Sequence, residues 1–148
     1  MSIFILFHMK KYVFILMAIM LLALAPAVYS ADFENSTIPG LNMTTDIDLA
    51  MNAAQSENKS VAIFFDQDSC AYCDMLKSNV LSNSDVQKQL NENFVVLVVD
   101  INENPKFADK YKVYGTPIIK FIEPSGKVIH EIQGYVEADE FLKELKEI

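Results

Sequence analysis

The run Phe94-Val95-Val96-Leu97-Val98-Val99 constrains this chain most. It offers no polar face to water, and its β-branched side chains suit a pleated backbone. Continuous rather than alternating apolarity belongs to a strand covered on both faces. A second run, Val61-Ala62-Ile63-Phe64-Phe65, has the same character and the length of a strand. Two such strands require helices on either side of the sheet they form.

The flanking segments supply those helices. Thr45-x-x-Asp48 resembles a capping box with Asp in place of Glu, and Leu49, Ala50, Ala53 and Ala54 then share one helical face up to Asn58-Lys59-Ser60. A helix is expected from Cys70 to about Val80. Another is expected over Ser84 to Asn91, where Val86 and Leu90 lie four apart, and a short one over Pro105 to Tyr111 with proline in its first turn. Ile118 to Ile122 and Val128 to Ile132 read as a hairpin joined through Pro124-Ser125-Gly126-Lys127. Phe141, Leu142, Leu145 and Ile148 give the closing segment, Ala138 to Ile148, helical spacing. The order is α, β, α, α, β, α, β, β, α. The fold class is α/β: a central mixed β-sheet flanked by helices on both faces, with no internal repeat and no second domain.

The first 31 residues read as a signal peptide. Lys10 and Lys11 form a positive n-region, Tyr12 to Ala25 is an uncharged apolar run, and the small residues at Ala25-Pro26-Ala27 and Val28-Tyr29-Ser30 offer cleavage sites near Ser30 or Ala31. The competing reading is an uncleaved membrane anchor; the apolar run is shorter than the roughly 20 residues a spanning helix needs. No cysteine lies just after the run, which argues against a lipid-anchored lipoprotein. Residues 32–44 are expected to form a flexible lead-in, with a short edge strand near Ile38 to Leu41. Residues 45–148 then form one domain, of a size suited to a single core. The whole chain carries 12 Lys plus Arg against 20 Asp plus Glu. Loss of the two signal lysines takes the net charge to about −10, which opposes nucleic acid and anionic lipid as partners.

Cys70-Ala71-Tyr72-Cys73 contains the only two cysteines of the chain, and they follow the first buried strand and open a helix. In an exported protein a disulfide persists. A bridge over two residues closes a minimal loop, however, and stabilisation by cross-linking grows with loop size. The pair therefore reads as redox-active rather than structural, with a metal site as a lesser alternative. A helix N-terminus favours the thiolate of the first cysteine.

These features together resemble the thioredoxin superfamily, and in particular its exported and periplasmic thioredoxin-like members. The dithiol follows a buried strand, Gly115-Thr116-Pro117 opens the next-to-last strand, a Pro-Ser-Gly-Lys turn joins the last two strands, and an amphipathic helix closes the chain. The similarity covers Thr45 to Ile148. It implies a thioredoxin-like fold and a thiol–disulfide oxidoreductase that needs no metal or organic cofactor beyond the redox-active Cys70–Cys73 disulfide. Cys70 is the implied nucleophile, exposed at the helix end, and Cys73 the more buried resolving thiol. Ala71 and Tyr72 tune the pair. Thr116 offers its backbone to an extended peptide, and Pro117, in cis, packs beside Cys70.

The chain departs from thioredoxin in ways that bear on function. Ser69 stands where a tryptophan is usual, Phe64 where a buried acid serves as proton acceptor, and Asp74 where a lysine is common; Lys77 or a water is left as a substitute acceptor. Asp66, Asp68 and Asp74 crowd the pair with negative charge, which opposes a thiolate and favours a reductase or redox partner over a strong oxidase. If they point into water, screening makes them weak. The expected partners are disulfides and thiols of extracytoplasmic proteins and an electron donor such as a membrane thiol-transfer protein, the chain itself acting as a monomer. The alternative is a non-catalytic module that binds a peptide or holds a soft metal such as Cu(I) on the two thiols. Three further features complete the expectations. His130 reads as a solvent-facing strand residue. Tyr111 and Tyr114 divide between groove lining and core packing. Asn35, Asn42 and Asn58 head N-glycosylation patterns.

Overall fold

The computed structural model describes residues 37–148. The signal segment, the start of the lead-in and the Asn35 pattern lie outside the described residues. The elements are β1 (Met43–Thr44), α1 (Ile47–Glu57), β2 (Ser60–Asp66), α2 (Ala71–Met75, continuing as a π-helical segment Leu76–Leu81), α3 (Ser84–Asn93), β3 (Phe94–Asp100), α4 (Pro105–Lys110), β4 (Ile118–Ile122), β5 (Val128–Gln133) and α5 (Ala138–Glu144). The sheet order is β1-β3-β2-β4-β5. β3 is parallel to β1 and β2, and β4 runs antiparallel to both β2 and β5.

The two apolar runs are neighbours at the centre of the sheet, in register from Ser60 opposite Phe94 to Asp66 opposite Asp100. Their side chains alternate between two cores, as a period of two requires. Ala62, Phe64 and Val96 face a layer containing Leu76, Val80, Leu81, Val86, Leu90, Phe141 and Leu145, from α2, α3 and α5. Val61, Ile63, Phe65, Val95, Leu97 and Val99 face the opposite layer, where α1 contributes Ala50, Ala53 and Ala54. The α/β class with helices on both faces is thus observed.

Several local expectations are corrected. The helix cap is Asp46, whose carboxylate accepts the Leu49 N–H at 2.9 Å, and not Thr45. Leu49 is 46% exposed, because the small alanine face of α1 is what packs against the sheet and Leu49 falls on its rim. Asn58 ends α1 in the left-handed region, φ 51°, where asparagine is tolerated. Residues 38–44 pack into the core instead of leading in flexibly: Ile38, Leu41 and Met43 are buried. The edge strand is Met43–Thr44, paired with Val96 and Leu97, rather than 38–41. Side chains of α3 pin this segment. Gln87 donates to the Pro39 carbonyl at 2.8 Å and Asn91 to the Gly40 carbonyl at 2.9 Å, while the Asn42 N–H donates to Asn91 at 2.8 Å. Gly40 has φ +88°, and a Cβ there would come within 2.4 Å of the Gln87 amide oxygen, so only glycine fits without displacing Gln87.

Two side-chain contacts hold β5 in place. His130 is not simply solvent-facing: its Nε2 lies 2.6 Å from a Glu144 carboxylate oxygen, joining β5 to α5, and its ring lies against Phe121. Lys120, 6% exposed, pairs with Glu131 across the strands. The Lys120 hydrogen bond, helped by one from Gln133, holds the Glu131 carboxyl below its ordinary value of 4.5 against the opposing effect of burial. A carboxyl whose value is lower when folded than unfolded stabilises the fold above the unfolded value. That contribution is lost as pH falls through the lowered one. Melting temperature in a pH series is therefore expected to fall on acidification below about 4.5, and Lys120→Met is expected to flatten that dependence.

Candidate active site

β2 ends at Asp66, and three residues later the chain turns into α2. Asp66 Oδ1 accepts the Gln67 N–H at 2.9 Å, and Ser69 sits in the left-handed region at φ 61°. This turn delivers Cys70 as the extended N-cap of α2. Its sulphur accepts the Cys73 N–H at 3.2 Å, and its carbonyl accepts those of Cys73 and Asp74 at 3.0 and 3.1 Å. The cap is thus a cysteine doing what Ser or Asp does at most helix starts. Cys70 and Cys73 are joined in a disulfide with their Cα atoms 5.2 Å apart. Cys70 is 9% exposed and Cys73 2%. The expected order of burial is observed, but Cys70 is less open than expected, only its edge reaching solvent. Ala71 and Tyr72 project outward, Tyr72 at 61% exposure.

The second component arrives 46 residues later, at the start of β4. The Thr116–Pro117 bond is cis. The Thr116 hydroxyl donates to the Cys70 sulphur at 3.4 Å, and Pro117 lines a cavity together with Cys73. Pro117 is buried, and its carbonyl accepts the Gly134 N–H at 2.9 Å. Tyr114 is 79% exposed beside this loop. Tyr111 belongs to the core, packed on Phe65 and Phe107.

The charges around the pair separate into two kinds. Asp68 and Asp74 are exposed and face water. Asp66 does not: its side chain is 17% exposed, it pairs with Lys77, and its carboxylate lies within 4.8 Å of both sulphurs. Asp66, Cys70 and Cys73 are the one such group of three potential metal ligands among the described residues. The reduced thiols and this carboxylate could hold a soft metal, but Lys77 already engages the carboxylate. Phe64, two residues earlier on the same strand face, packs on Phe141 in the apolar core. A cavity of about 580 Å³ reaches the site from the Cys73 side. Cys73, Asp66, Lys77, Asp100, Glu103 and Pro117 are among its lining residues, whereas Cys70 is not. The Asp66–Lys77 pair was not read from the sequence. Its one signal there was the period-two spacing from Phe64, which places an acid on the face that the dithiol helix covers.

The profile of the thioredoxin-like domain matches residues 47–148. The chain belongs to the thioredoxin-like domain family. It has the Cys-x-x-Cys pair of that family's thiol–disulfide oxidoreductases. A thioredoxin from Thermus thermophilus superposes with a TM-score of 0.66 at 30% identity, over 73% of this chain and 86% of that one. The oxidised C-terminal domain of DsbD from Neisseria meningitidis superposes with a TM-score of 0.61 at 23% identity, over 71% and 97% respectively, a likeness of fold. Among curated sequences, a protein disulfide-isomerase of Ricinus communis is 27% identical over 128 residues, 85% of this chain and 25% of that protein. The thiol:disulfide interchange protein DsbD of Photorhabdus laumondii is 27% identical over 99 residues, 64% of this chain and 17% of that protein. The chain thus spans a quarter or less of these two longer proteins.

In this thioredoxin-like site, Thr116 supplies the one side-chain hydroxyl bonded to Cys70 among the described residues. A hydrogen bond to an ionised group contributes about 1.5–3 kcal/mol. Thr116→Val is expected to slow alkylation of Cys70 in the reduced protein at neutral pH by about tenfold, read by mass after a timed iodoacetamide pulse.

Proposed function

We propose that this protein is an exported enzyme that reduces or exchanges disulfides in extracytoplasmic proteins. Cys70, as thiolate, attacks one sulphur of a partner disulfide. The S–S bond of the partner breaks, one partner sulphur leaves as a thiolate, and the other is held on Cys70 as a mixed disulfide. Cys73, deprotonated, attacks the Cys70 sulphur. The second partner thiolate leaves, and the Cys70–Cys73 disulfide is formed. A dithiol donor, such as a membrane thiol-transfer protein, returns two electrons and restores the reduced pair. Thr116 and Pro117 border the sulphurs, and the backbone of Thr116 is the natural place for an extended partner segment to pair.

The observation that carries this reading is the arrangement at the sulphurs: a capping Cys70 held by the Cys73 N–H and the Thr116 hydroxyl, over a Cys73 almost closed to solvent. It supports unequal roles for the two cysteines. The partly buried carboxylate of Asp66 beside both sulphurs supports the reductase direction, because it disfavours thiolate and so the reduced form. Similarity to a DsbD protein over 99 residues supports exchange with other thiol proteins as the role. Export rests on the N-terminal sequence.

Wild-type protein is expected to accelerate reduction of insulin by dithiothreitol. Cys73→Ser is expected to accumulate a mixed disulfide with an added disulfide-containing protein, and Cys70→Ser to form none, both read on non-reducing gels. Equal trapping by the two variants contradicts the assigned roles, and inert wild-type protein contradicts the enzyme.

A further inference from the structure

Resolution of the mixed disulfide needs Cys73 as a thiolate, and Cys73 is 2% exposed. Its proton needs an acceptor inside the protein. Among the described residues the one imidazole, His130, is engaged with Glu144 between β5 and α5. Of the other residues that line the cavity with Cys73, Phe64 and Leu76 offer no acceptor, and the carboxylates of Asp100 and Glu103 do not join the Asp66–Cys70–Cys73 group. Asp66 does, with a carboxylate oxygen within 4.8 Å of the Cys73 sulphur, a distance spanned directly or through one water.

We infer that Asp66, held in place by Lys77, accepts the proton of Cys73 when the mixed disulfide is resolved. This deepens the exchange reading above and rests on it. Both oxygens of Asp66 are anchored, Oδ1 by the Gln67 N–H and Oδ2 by Lys77. A carboxylate oxygen accepts two hydrogen bonds, so each keeps a lone pair for a proton. Lys77 follows Cys73 by four residues on the same helical segment, one turn on, so the residue that positions the carboxylate and the thiol that it serves share a face. The cavity of about 580 Å³ opens on this side and is also lined by Asp100 and Glu103. A water occupies about 30 Å³ of liquid, so the cavity has room for the chain of waters that carries the proton away. Because Cys70 does not line it, proton traffic and partner docking use different sides of the disulfide.

The step balances. The S–H bond of Cys73 breaks and its proton passes to the Asp66 carboxylate. The Cys73 sulphur bonds to the Cys70 sulphur with its electron pair. The bond from Cys70 to the partner sulphur breaks, and the partner leaves as a thiolate. Asp66 then loses its proton to solvent.

The test uses the full protein with a mixed disulfide between Cys70 and a coloured aromatic thiol, trapped in acid and released by a jump to each of a series of pH values. General-base catalysis contributes about 10²–10⁴-fold. Asp66→Asn is expected to slow thiol release at neutral pH by about 100-fold or more. The deficit should close above about pH 9, where a thiol ionises unaided. Asp66→Glu, which keeps a carboxylate, should recover most of the rate, with circular dichroism confirming the fold of each variant. Release by Asp66→Asn at the wild-type rate, a deficit equal at every pH, or no recovery in Asp66→Glu overturns the inference. If the wild-type mixed disulfide itself never resolves, the exchange reading falls and this inference with it.

Discussion

Everything in this structure that bears on function hangs from the burial of β2. Its residues contribute to both cores at once, Ala62 and Phe64 on one face and Val61, Ile63 and Phe65 on the other. It is bonded on one side to β3 and on the other to β4. A strand held on both edges and both faces has no freedom at its C-terminal end. Asp66, the turn at Ser69 and the Cys70 cap are therefore set in place by hydrophobic packing several residues away. β4 is registered against the same strand, Ile118 opposite Phe65, which fixes Thr116 and Pro117 against the sulphurs from the other direction.

The site assembled this way treats its two sulphurs differently. Cys70 receives two donors, a main-chain N–H and a hydroxyl, and only its edge meets solvent. Cys73 faces inward to a cavity carrying a carboxylate and an ammonium group. Two donors converge on the first sulphur, and the Asp66 carboxylate that lies beside both sulphurs is paired with Lys77. One disulfide thus has a side suited to attack on a partner and a side suited to handling a proton.

Much of this was legible in the sequence. Two unbroken apolar runs could only be central strands, and the dithiol after one of them, with Gly-Thr-Pro before a later strand, located the site. What escaped the sequence was set by tertiary contact. Asp32 to Asn42 lacks periodicity and is polar at its start, so it reads as a lead-in, yet Ile38, Leu41 and the Met43 that follows complete the core under α3, and hydrogen bonds from Gln87 and Asn91 secure the segment. The π-helical stretch after Met75 has no signal in composition; it brings Leu76, Val80 and Leu81 inward together. Asp66 looked like one of three surface acids around the cysteines. Only its place at the end of β2, facing Lys77 on the dithiol helix, separates it from Asp68 and Asp74.

In the function proposed above, Cys70 and Cys73 form a reducing pair whose reduced state is disfavoured by the Asp66 carboxylate beside it. The most direct measurement is a redox titration of the full protein against a dithiol buffer, following alkylation of the two thiols by mass. A reversible two-electron transition near about −270 mV is predicted, the range of a thioredoxin-like reductant. A transition near about −120 mV, the range of a strong oxidant, contradicts a reducing role.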